Sequence, residues 1–542
     1  MTLYGIHRRR AGAGPHYRSI TSDRSDASDL ASHSSTRESI ASRHRHVNIL
    51  LVSPRFPETF WSFAHALRFI RRRASQPPLG LLTVAALLPA EWNKRLVDLN
   101  VAPLSDDDLA WADYVFIGAM TVQRASAVEV IARCRAEGVP IVAGGPLFTM
   151  EHEQFEGVDH FVLDEAELTL PRFLADLAAG APQHVYRAGE YADLTTSPIP
   201  LWELVDFRQY ASIGVQFCRG CPYDCDFCNV TALLGHRPRT KRVEQVIAEL
   251  DRILELGWRG SVFFVDDNLI GNKRDAKSEL LPALIEWQER HGRRVPFNAQ
   301  VSMNLADDAE LLTMMGRAGF DTVFIGIESP DEETLAECNK KQNLRRDLVA
   351  DVRRVQRAGI EVSAGFIVGF DGDTPASFHR LADFIQRSGI VTAMVGMLQA
   401  PAGTRLFDRM RAEGRLLGAM TGDNVDGTTN IVPTIGLDEL RQRYRALVGH
   451  LYEPKHYYAR VRTFLREYRV PPVKQRLSMQ RLLAFTRSMA RLGVVGRERV
   501  QYWRLIAWTV VRRPRLLPQA VTLAIYGYHF RLVAERVSQR VS

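Results

Sequence analysis

The chain has 542 residues, of which 46% are hydrophobic and 24% charged, a composition typical of a globular protein with about two to four domains. Its net charge of +8 is unevenly distributed, because residues 437–542 contain 22 Lys and Arg against 6 Asp and Glu. No apolar run follows Arg8-Arg9-Arg10, so we expect neither a secretory signal peptide nor a disulfide framework among the cysteines.

Residues 1–46 differ in composition from the rest of the chain. They are rich in Ser, Arg, His and Asp and contain almost no aliphatic side chains. Because such a segment buries too little apolar surface to offset the entropy of ordering, we predict a disordered N-terminal extension.

Between residues 47 and 180, short apolar runs alternate with helical patterns such as Leu79–Leu88 and Ala125–Ala136. This alternation predicts an α/β domain with a parallel, doubly wound, Rossmann-like sheet. Ligands of such sheets bind beyond the carboxyl ends of the strands. The runs that predict strands are 47–52, Arg95–Asn100, Tyr114–Gly118, Pro140–Ala143 and His160–Leu163.

Residues 181–210 contain Ala181-Pro182 and Pro198-Ile199-Pro200 and indicate a linker. A second αβ series occupies residues 211–430, with helical patterns such as Val243–Glu255 and Ala309–Ala318. Its six units predict a partial, TIM-like (β/α)6 barrel, whose chemistry would lie at the carboxyl ends of the strands. The strand-like runs are Ile213–Phe217, Val262–Val265, Phe297–Val301, Thr322–Ile327, Glu361–Val368 and Val391–Leu398.

A group of cysteines follows the first strand of this second series. Cys221, Cys225 and Cys228 have the spacing C-x3-C-x2-C, so three thiolates on one loop could hold three irons of a [4Fe–4S] cube and leave the fourth iron open. A zinc site is the structural alternative, but zinc usually binds two separated pairs of ligands. Cys218 fits better as a packing residue at the end of the preceding strand than as a ligand.

The spacing C-x3-C-x2-C, with Phe227 before the last cysteine, resembles the radical S-adenosylmethionine (SAM) superfamily. Arg219-Gly220 and Pro222 further resemble the members that carry a cobalamin domain. The resemblance implies a [4Fe–4S] cluster on the three cysteines and a fourth iron that binds the amino and carboxylate groups of SAM. It also implies reductive cleavage of SAM to a 5′-deoxyadenosyl radical.

Residues at the ends of the later strands occur in the order of the family's SAM-binding segments. Each is a weak signal alone, since Asp often caps a helix and Gly in a strand often marks a bulge. Residues 365–369 are similar to the family's G-x-I-x-G strand, which contacts adenine. The resemblance implies SAM binding by Phe227, Asp266, Asp267, Gln300, Glu328, Ser329, Gly365, Ile367 and Gly369.

The first αβ series resembles the cobalamin-binding domain found upstream of some radical SAM cores. Gly144-Gly145-Pro146 taken alone is also consistent with a simple turn. The chain lacks D-x-H-x-x-G, which supplies an axial His in many cobalamin proteins, and residues 164–167 depart from the Gly-Glu common in relatives. The resemblance implies cobalamin contacts from Leu79, Gly80, Asp98, Asn100, Gly118, Thr121, Gly144, Gly145 and Pro146.

Residues 223–228, 237–239 and 264–268 are similar to the branch that contains the hopanoid C-2 methylase, although Asn229 stands where relatives commonly have Asp. The family implies a cobalamin-dependent methyltransferase that uses SAM both as methyl source and as source of the radical that attacks an unactivated carbon. Its substrate would be a small molecule or a lipid such as a hopanoid. Two alternatives stay open: a rearrangement or cyclisation without methyl transfer, and a non-catalytic lipid- or partner-binding protein with a structural cluster.

Residues 431–542 indicate a basic, aromatic-rich helical domain. Its most apolar stretch, Leu516–Val533, is interrupted by polar residues, so we do not predict a transmembrane helix. Arg-flanked apolar faces favour either an interfacial helix on anionic lipid, through residues 437–542, or a helical cap on the barrel. We therefore expect a cytoplasmic enzyme, peripheral at the inner face of the membrane if the helices bind lipid. The family implies an electron donor such as flavodoxin or ferredoxin, and we expect no nucleic acid partner.

Overall fold

The computed structural model describes residues 46–292, 295–423, 426–470 and 479–539. The predicted disorder of the N-terminal extension falls outside these ranges, apart from His46. The domain boundaries after residues 46, 180, 210 and 430 stay predictions. Within the described ranges, two parallel sheets and a group of C-terminal helices account for the architecture.

The first sheet has six parallel strands in the order β2-β1-β3-β4-β5-β6. Helices cover both of its faces, so residues 49–52 of β1, an interior strand, are fully buried. The five predicted strands are confirmed, and β6 adds a strand from the segment predicted as a linker. The strands are β1 (Asn48–Ser53), β2 (Asn93–Asp98), β3 (Tyr114–Gly118), β4 (Ile141–Gly144), β5 (His160–Val162) and β6 (Val185–Tyr186). The helices are Ala64–Leu67, Leu79–Leu87, Asp106–Trp111, Arg124–Ala136, Pro146–Glu151 and Ala166–Ala178.

The second sheet also has six parallel strands, and the antiparallel hairpin β8–β9 follows its first strand. The order β14-β13-β12-β11-β10-β7 leaves β7 and β14 as edges, as the predicted partial barrel requires. The strands are β7 (Ser212–Val215), β8 (Cys218–Arg219), β9 (Arg239–Thr240), β10 (Ser261–Phe264), β11 (Phe297–Gln300), β12 (Phe320–Glu328), β13 (Glu361–Val368) and β14 (Ala393–Met397). The longer helices are Val243–Glu255, Leu281–Arg290, Ala309–Ala318, Leu348–Arg357, Pro375–Ser388 and Arg405–Ala412.

The C-terminal helices share one hydrophobic core with the barrel. The apolar stretch predicted at Leu516–Val533 lies in the helix Leu517–Gln539, whose Leu523 and Phe530 are fully buried. The hydroxyl of Tyr444 donates to the Val395 carbonyl of β14 at 3.0 Å. Among the described helices, none is both long and apolar enough to cross a membrane. The other helices of this group are Leu437–Tyr452, Pro454–Glu467, Met479–Ser488 and Arg499–Arg512.

Candidate active site

The cysteine loop connects β8 to β9 and lies beyond the carboxyl end of β7. Asp266, just after β10, fixes its beginning, because Oδ1 accepts hydrogen bonds from the backbone N–H groups of Phe217, at 2.9 Å, and Cys218. These bonds draw the chain out of the sheet, so Cys218 lies in the hairpin rather than at the end of the first strand, as the sequence had suggested. Complete burial raises the pKa of the Asp266 carboxyl to about 7.

Cys221, Cys225 and Cys228 share one environment at the edge of this loop. All three are free and partly exposed, whereas Cys218 is buried. Burial raises the pKa of each thiol, to about 12 for Cys228, and a neighbouring thiolate raises the pKa of Cys221 and Cys228 further. Each ligand of a [4Fe–4S] cube binds a different iron, so the thiols need not meet at one point. Accordingly, no three His, Cys, Asp or Glu side chains in the described part of the chain converge on one metal ion. The donor set fits a three-cysteine cluster.

Lys340 lies beside these thiols, and it belongs to no sequence motif that would have predicted this position. Its Nζ is 2.8 Å from Oε1 of Glu328 and 5.9 Å from the ring centre of Phe227. Burial raises the thiol pKa values of Cys225 and Cys228, and the charge of Lys340 partly offsets that effect. Glu328 has a φ of 65°, in the left-handed region that side chains other than glycine rarely adopt. A cation that no sequence motif indicates therefore joins the predicted SAM residues Phe227 and Glu328.

A cavity of about 2430 Å³ runs along the carboxyl edge of the first sheet and into the interior of the barrel. Its volume exceeds the roughly 300–1,000 Å³ of an ordinary small-molecule pocket. The interior residues follow the period of two expected of strands, since Glu361, Ser363 and Ile367 of β13 line the cavity. One continuous space therefore connects the two halves in which the sequence predicts cofactors.

Of the residues predicted to bind cobalamin, all except Thr121 line this cavity. Thr121 is buried and packs against Gly422. A Cβ on Gly144 would lie 2.6 Å from the Val162 carbonyl oxygen, so glycine is needed at the end of β4, where it lies beside the end of β5. No histidine lines the cavity within the described ranges, in agreement with the missing D-x-H-x-x-G motif. A broad, backbone-lined edge of this kind fits a large flat ligand.

The predicted SAM residues divide into two groups. Phe227, Gln300 and Ile367 line the cavity. The others do not line it: Asp266, Asp267, Glu328, Ser329, Gly365 and Gly369. The two glycines have packing reasons, because a Cβ would lie 3.0 Å from the Phe324 ring at Gly365 and 2.8 Å from a Leu440 methyl group at Gly369. SAM contacts by these residues stay predictions.

A buried network of four charges links the two sheets next to the cysteine loop. Arg219 of β8 donates to Glu165 and Glu167, each at 2.8 Å, and Arg239 of β9 pairs with Glu165 at 2.9 Å. Burial raises the pKa of Glu167, but the hydrogen bond and charge of Arg219, together with the hydrogen bond from Ser197, lower the pKa overall. Glu165 is thus engaged by two arginines from the hairpin.

Comparison with protein families gives three successive matches. Residues 68–174 match the B12 binding domain, residues 215–385 match the radical SAM superfamily, and residues 404–542 match a domain of unknown function. The first two matches agree with the two sheets and their predicted order. They show cobalamin, SAM and a [4Fe–4S] cluster as the cofactors, and they favour the iron–sulfur interpretation over zinc.

Two similar proteins cover nearly the whole chain. An uncharacterized methyltransferase of Synechocystis sp. is 40% identical over 500 residues, which are 91% of this chain and 93% of the relative. The hopanoid C-2 methylase of Rhodopseudomonas palustris is 32% identical over 504 residues, 91% of this chain and 94% of the relative.

Solved structures show the same fold at lower sequence identity. The cobalamin-dependent SAM radical enzyme OxsB, with aqua-cobalamin and SAM bound, has a TM-score of 0.59 at 15% identity, covering 92% of this chain and 81% of that one. The radical SAM methyltransferase TsrM from Kitasatospora setae has a TM-score of 0.53 at 17% identity, covering 68% and 77%. With the relatives that span its length, these findings show that the chain belongs to the cobalamin-binding radical SAM enzymes that include hopanoid C-2 methylase.

Proposed function

We propose that this enzyme methylates an unactivated carbon of a lipid-like molecule such as a hopanoid. The observation that supports this substrate class is the interior of the barrel, where the wall of the cavity is largely apolar. Phe324 of β12 and Met394 of β14 line it from the sheet, and Ile525 and Tyr526 line it from the last helix. Burial of a rigid hydrocarbon against such walls is favourable by about 25 cal/mol per Å².

Trp61 completes this wall from outside the barrel. It follows the first strand of the first sheet, yet its ring centre lies 4.7 Å from that of Phe324. The Trp61 side chain is 45% exposed, and it lines the cavity. An aromatic surface that faces a cavity rather than the core is well suited to contact an apolar substrate.

When bound, cobalamin, SAM and the cluster supply the methyl group and the radical chemistry. The chain itself must hold the reacting carbon beside them and keep water away from it. Phe324 and Ile367 point into the space between the cysteine loop and the barrel interior. Their side chains would exclude water there and hold the substrate at the carboxyl ends of β12 and β13.

The direct test is an anaerobic assay with reconstituted protein, cobalamin, a strong reductant and SAM deuterated in its methyl group, with a hopanoid as substrate. We expect a labelled methylated lipid, together with both 5′-deoxyadenosine and S-adenosylhomocysteine. Cys225→Ala protein is the matched control and should form neither the lipid product nor 5′-deoxyadenosine. Formation of 5′-deoxyadenosine without S-adenosylhomocysteine would contradict the proposal and favour the rearrangement or cyclisation.

We also infer peripheral contact with the inner face of a membrane through residues 437–542. The support is an outward apolar stripe on the helix Arg499–Arg512, in which Val500, Trp503, Val510 and Val511 recur at helical spacing and are exposed. Exposed arginines at 499, 504 and 512 flank the stripe, as in helices that bind anionic lipid surfaces. An electron donor such as flavodoxin or ferredoxin belongs to the same proposal, because the cysteine loop is partly exposed.

A further inference from the structure

A polar group lies in the cavity at the end opposite to the cysteine loop. Asp321 and Glu361 are at the amino ends of β12 and β13, and Thr392 immediately precedes β14. These three strands are neighbours, and all three side chains line the cavity. In parallel barrels the chemistry lies at the carboxyl ends of the strands, so the catalytic reaction does not account for this group.

The two carboxyl groups have partners, and their environments favour the protonated forms. Thr322 Oγ1 donates to Asp321 at 3.1 Å, and the Gln519 amide donates to Glu361. Burial raises the pKa of Asp321 to about 6, against the opposing charge of Arg481. Burial and the proximity of Asp321 raise the pKa of Glu361 to about 8. At neutral pH Glu361 therefore keeps its proton, whereas Asp321 is largely ionised and is offset by the charge of Arg481, which also lines the cavity. The group thus has little net charge and would receive a neutral polar ligand better than a cation.

Thr392 provides an independent indication of a ligand. Its side chain is 2% exposed and faces the cavity, yet Oγ1 has no hydrogen-bond partner among the described residues. Buried hydroxyl groups in native proteins nearly always have a partner, and each exception requires an explanation. A ligand hydroxyl could accept a hydrogen bond from Thr392 and donate one to a neighbouring carboxyl oxygen.

We propose that Asp321, Glu361 and Thr392 bind a hydroxyl group at the polar end of the substrate. This inference rests on the proposed function, and it narrows the substrate to an elongated apolar molecule with a terminal hydroxyl. From Glu361 to Ile367, β13 advances by six residues, or about 20 Å at roughly 3.3 Å per residue. The polar end would bind near the amino ends of the strands, and the apolar body would extend past Phe324 and Met394 toward the cofactors.

Thr392→Val is the most informative variant. It removes the hydroxyl while keeping the shape, and it breaks no protein hydrogen bond that the structure describes, so we expect stability to be unchanged or higher. Thr509→Val is the matched control, since Thr509 is equally buried, lies outside the cavity and donates to the Leu505 carbonyl. Glu361→Met removes the carboxyl group and tests the acceptor side of the same site.

The experiment measures equilibrium binding of a hopanoid alcohol and of the parent hopane hydrocarbon to anaerobic holoenzyme, by ultrafiltration. We expect the wild type to prefer the alcohol, and Thr392→Val to weaken alcohol binding about two- to tenfold, the worth of one hydrogen bond, while leaving the hydrocarbon unaffected. Glu361→Met should also weaken alcohol binding selectively, and Thr509→Val should match the wild type.

The outcomes separate this inference from the proposed function. Equal binding of alcohol and hydrocarbon by the wild type, binding of neither, or equal losses for both in Thr392→Val would overturn the hydroxyl site. Methylation of both compounds without preference would overturn it and leave the proposed function standing. Selective binding of the alcohol without any methylation would support the site and refute the proposed function for hopanoids.

Discussion

At the scale of single residues, a buried thiol in β8 and a partly exposed thiol in the cysteine loop lie only three residues apart. Cys218 is 2% exposed, and its Sγ lies 3.7 Å from the Asn268 carbonyl oxygen. Cys221 is partly exposed, like Cys225 and Cys228. The backbone of Cys218 is held by Asp266, so its position serves the loop rather than a metal.

The first prediction contrasts these thiols. Cys221→Ala, Cys225→Ala and Cys228→Ala should each prevent cluster formation and SAM cleavage, because only three protein ligands hold the cube. Cys218→Ala should keep both, since its thiol is a packing group. Iron counting and optical spectra after anaerobic reconstitution measure the difference. A full cluster in Cys225→Ala protein would refute the ligand assignment.

The second prediction concerns Lys340, whose positive charge acts on Cys225 and Cys228. Lys340→Met should shift the reduction midpoint of the cluster to more negative values, on the order of tens of millivolts, because a nearby cation stabilises the added electron. The exposed neighbour Lys341 provides the control Lys341→Met. A redox titration followed by electron paramagnetic resonance measures the midpoint, and equal shifts in both variants would contradict the role of Lys340.

At the scale of elements, the β8–β9 hairpin fastens the cysteine loop to the first sheet. The side chains of Arg219, Glu165 and Glu167 are only 13%, 4% and 5% exposed. Charges buried to this degree are tolerated because they are paired, and removal of one partner leaves the others uncompensated. The network therefore couples the position of the loop to that of residues 165–167.

The third prediction follows from this coupling. Arg219→Met should destabilise the protein by about 3–5 kcal/mol and reduce the iron retained after reconstitution, because it leaves the buried Glu167 without a cation and Glu165 with Arg239 alone. Arg208→Met should leave the stability nearly unchanged, since Arg208 is 80% exposed in its pair with Asp206. Thermal unfolding and iron analysis measure both effects. Similar losses in the two variants would show that the network has no special importance.

The elements that could be predicted from the sequence are those with a clear periodicity. Tyr114–Gly118, Val243–Glu255 and Glu361–Val368 agree with the structure residue for residue, because each buries one or both faces against neighbours. The two-residue strands β6, β8 and β9 could not be predicted, since so short a segment has no period. They form only because tertiary contacts supply their partners.

The candidate site was predictable only in part, for a related reason. Motif and strand-end position identified the cysteine loop and nine residues predicted to contact cobalamin, of which eight line the cavity. The direction of a side chain at a strand end was not predictable, so Asp266 turned out to bind backbone N–H groups of the cysteine loop. Lys340 and Trp61 join the site through loops distant in sequence, and no local pattern marks them.

At the scale of the whole molecule, the C-terminal helices have an inner face and an outer face. The inner face packs on the barrel, where Tyr444 reaches the backbone of β14. The outer face carries the apolar stripe defined by Val500, Trp503, Val510 and Val511. The inner face thus corresponds to the predicted helical cap on the barrel, and the outer face to the proposed lipid contact.

The fourth prediction tests the outer face. Val511 is 76% exposed, so Val511→Asp should leave the fold intact and weaken binding to vesicles that contain anionic lipid several-fold, because it places a negative charge in the stripe. Val128→Asp is the control, because Val128 is exposed on the helix Arg124–Ala136, which belongs to the domain of the first sheet. Co-sedimentation measures binding. Unchanged binding in the Val511 variant would exclude this face as the contact.

The contact between Trp61 and Phe324 has an evolutionary consequence. The proposed substrate wall is assembled from a segment near the first sheet and a strand of the second, so neither half by itself contains the whole of the proposed pocket. If recombination exchanged the upstream half between related enzymes, it would replace the cobalamin-binding sheet. The same exchange would also change the shape of the proposed substrate pocket. Diversification of substrate choice in this lineage would therefore proceed through coordinated point substitutions on both halves rather than through shuffling of intact modules.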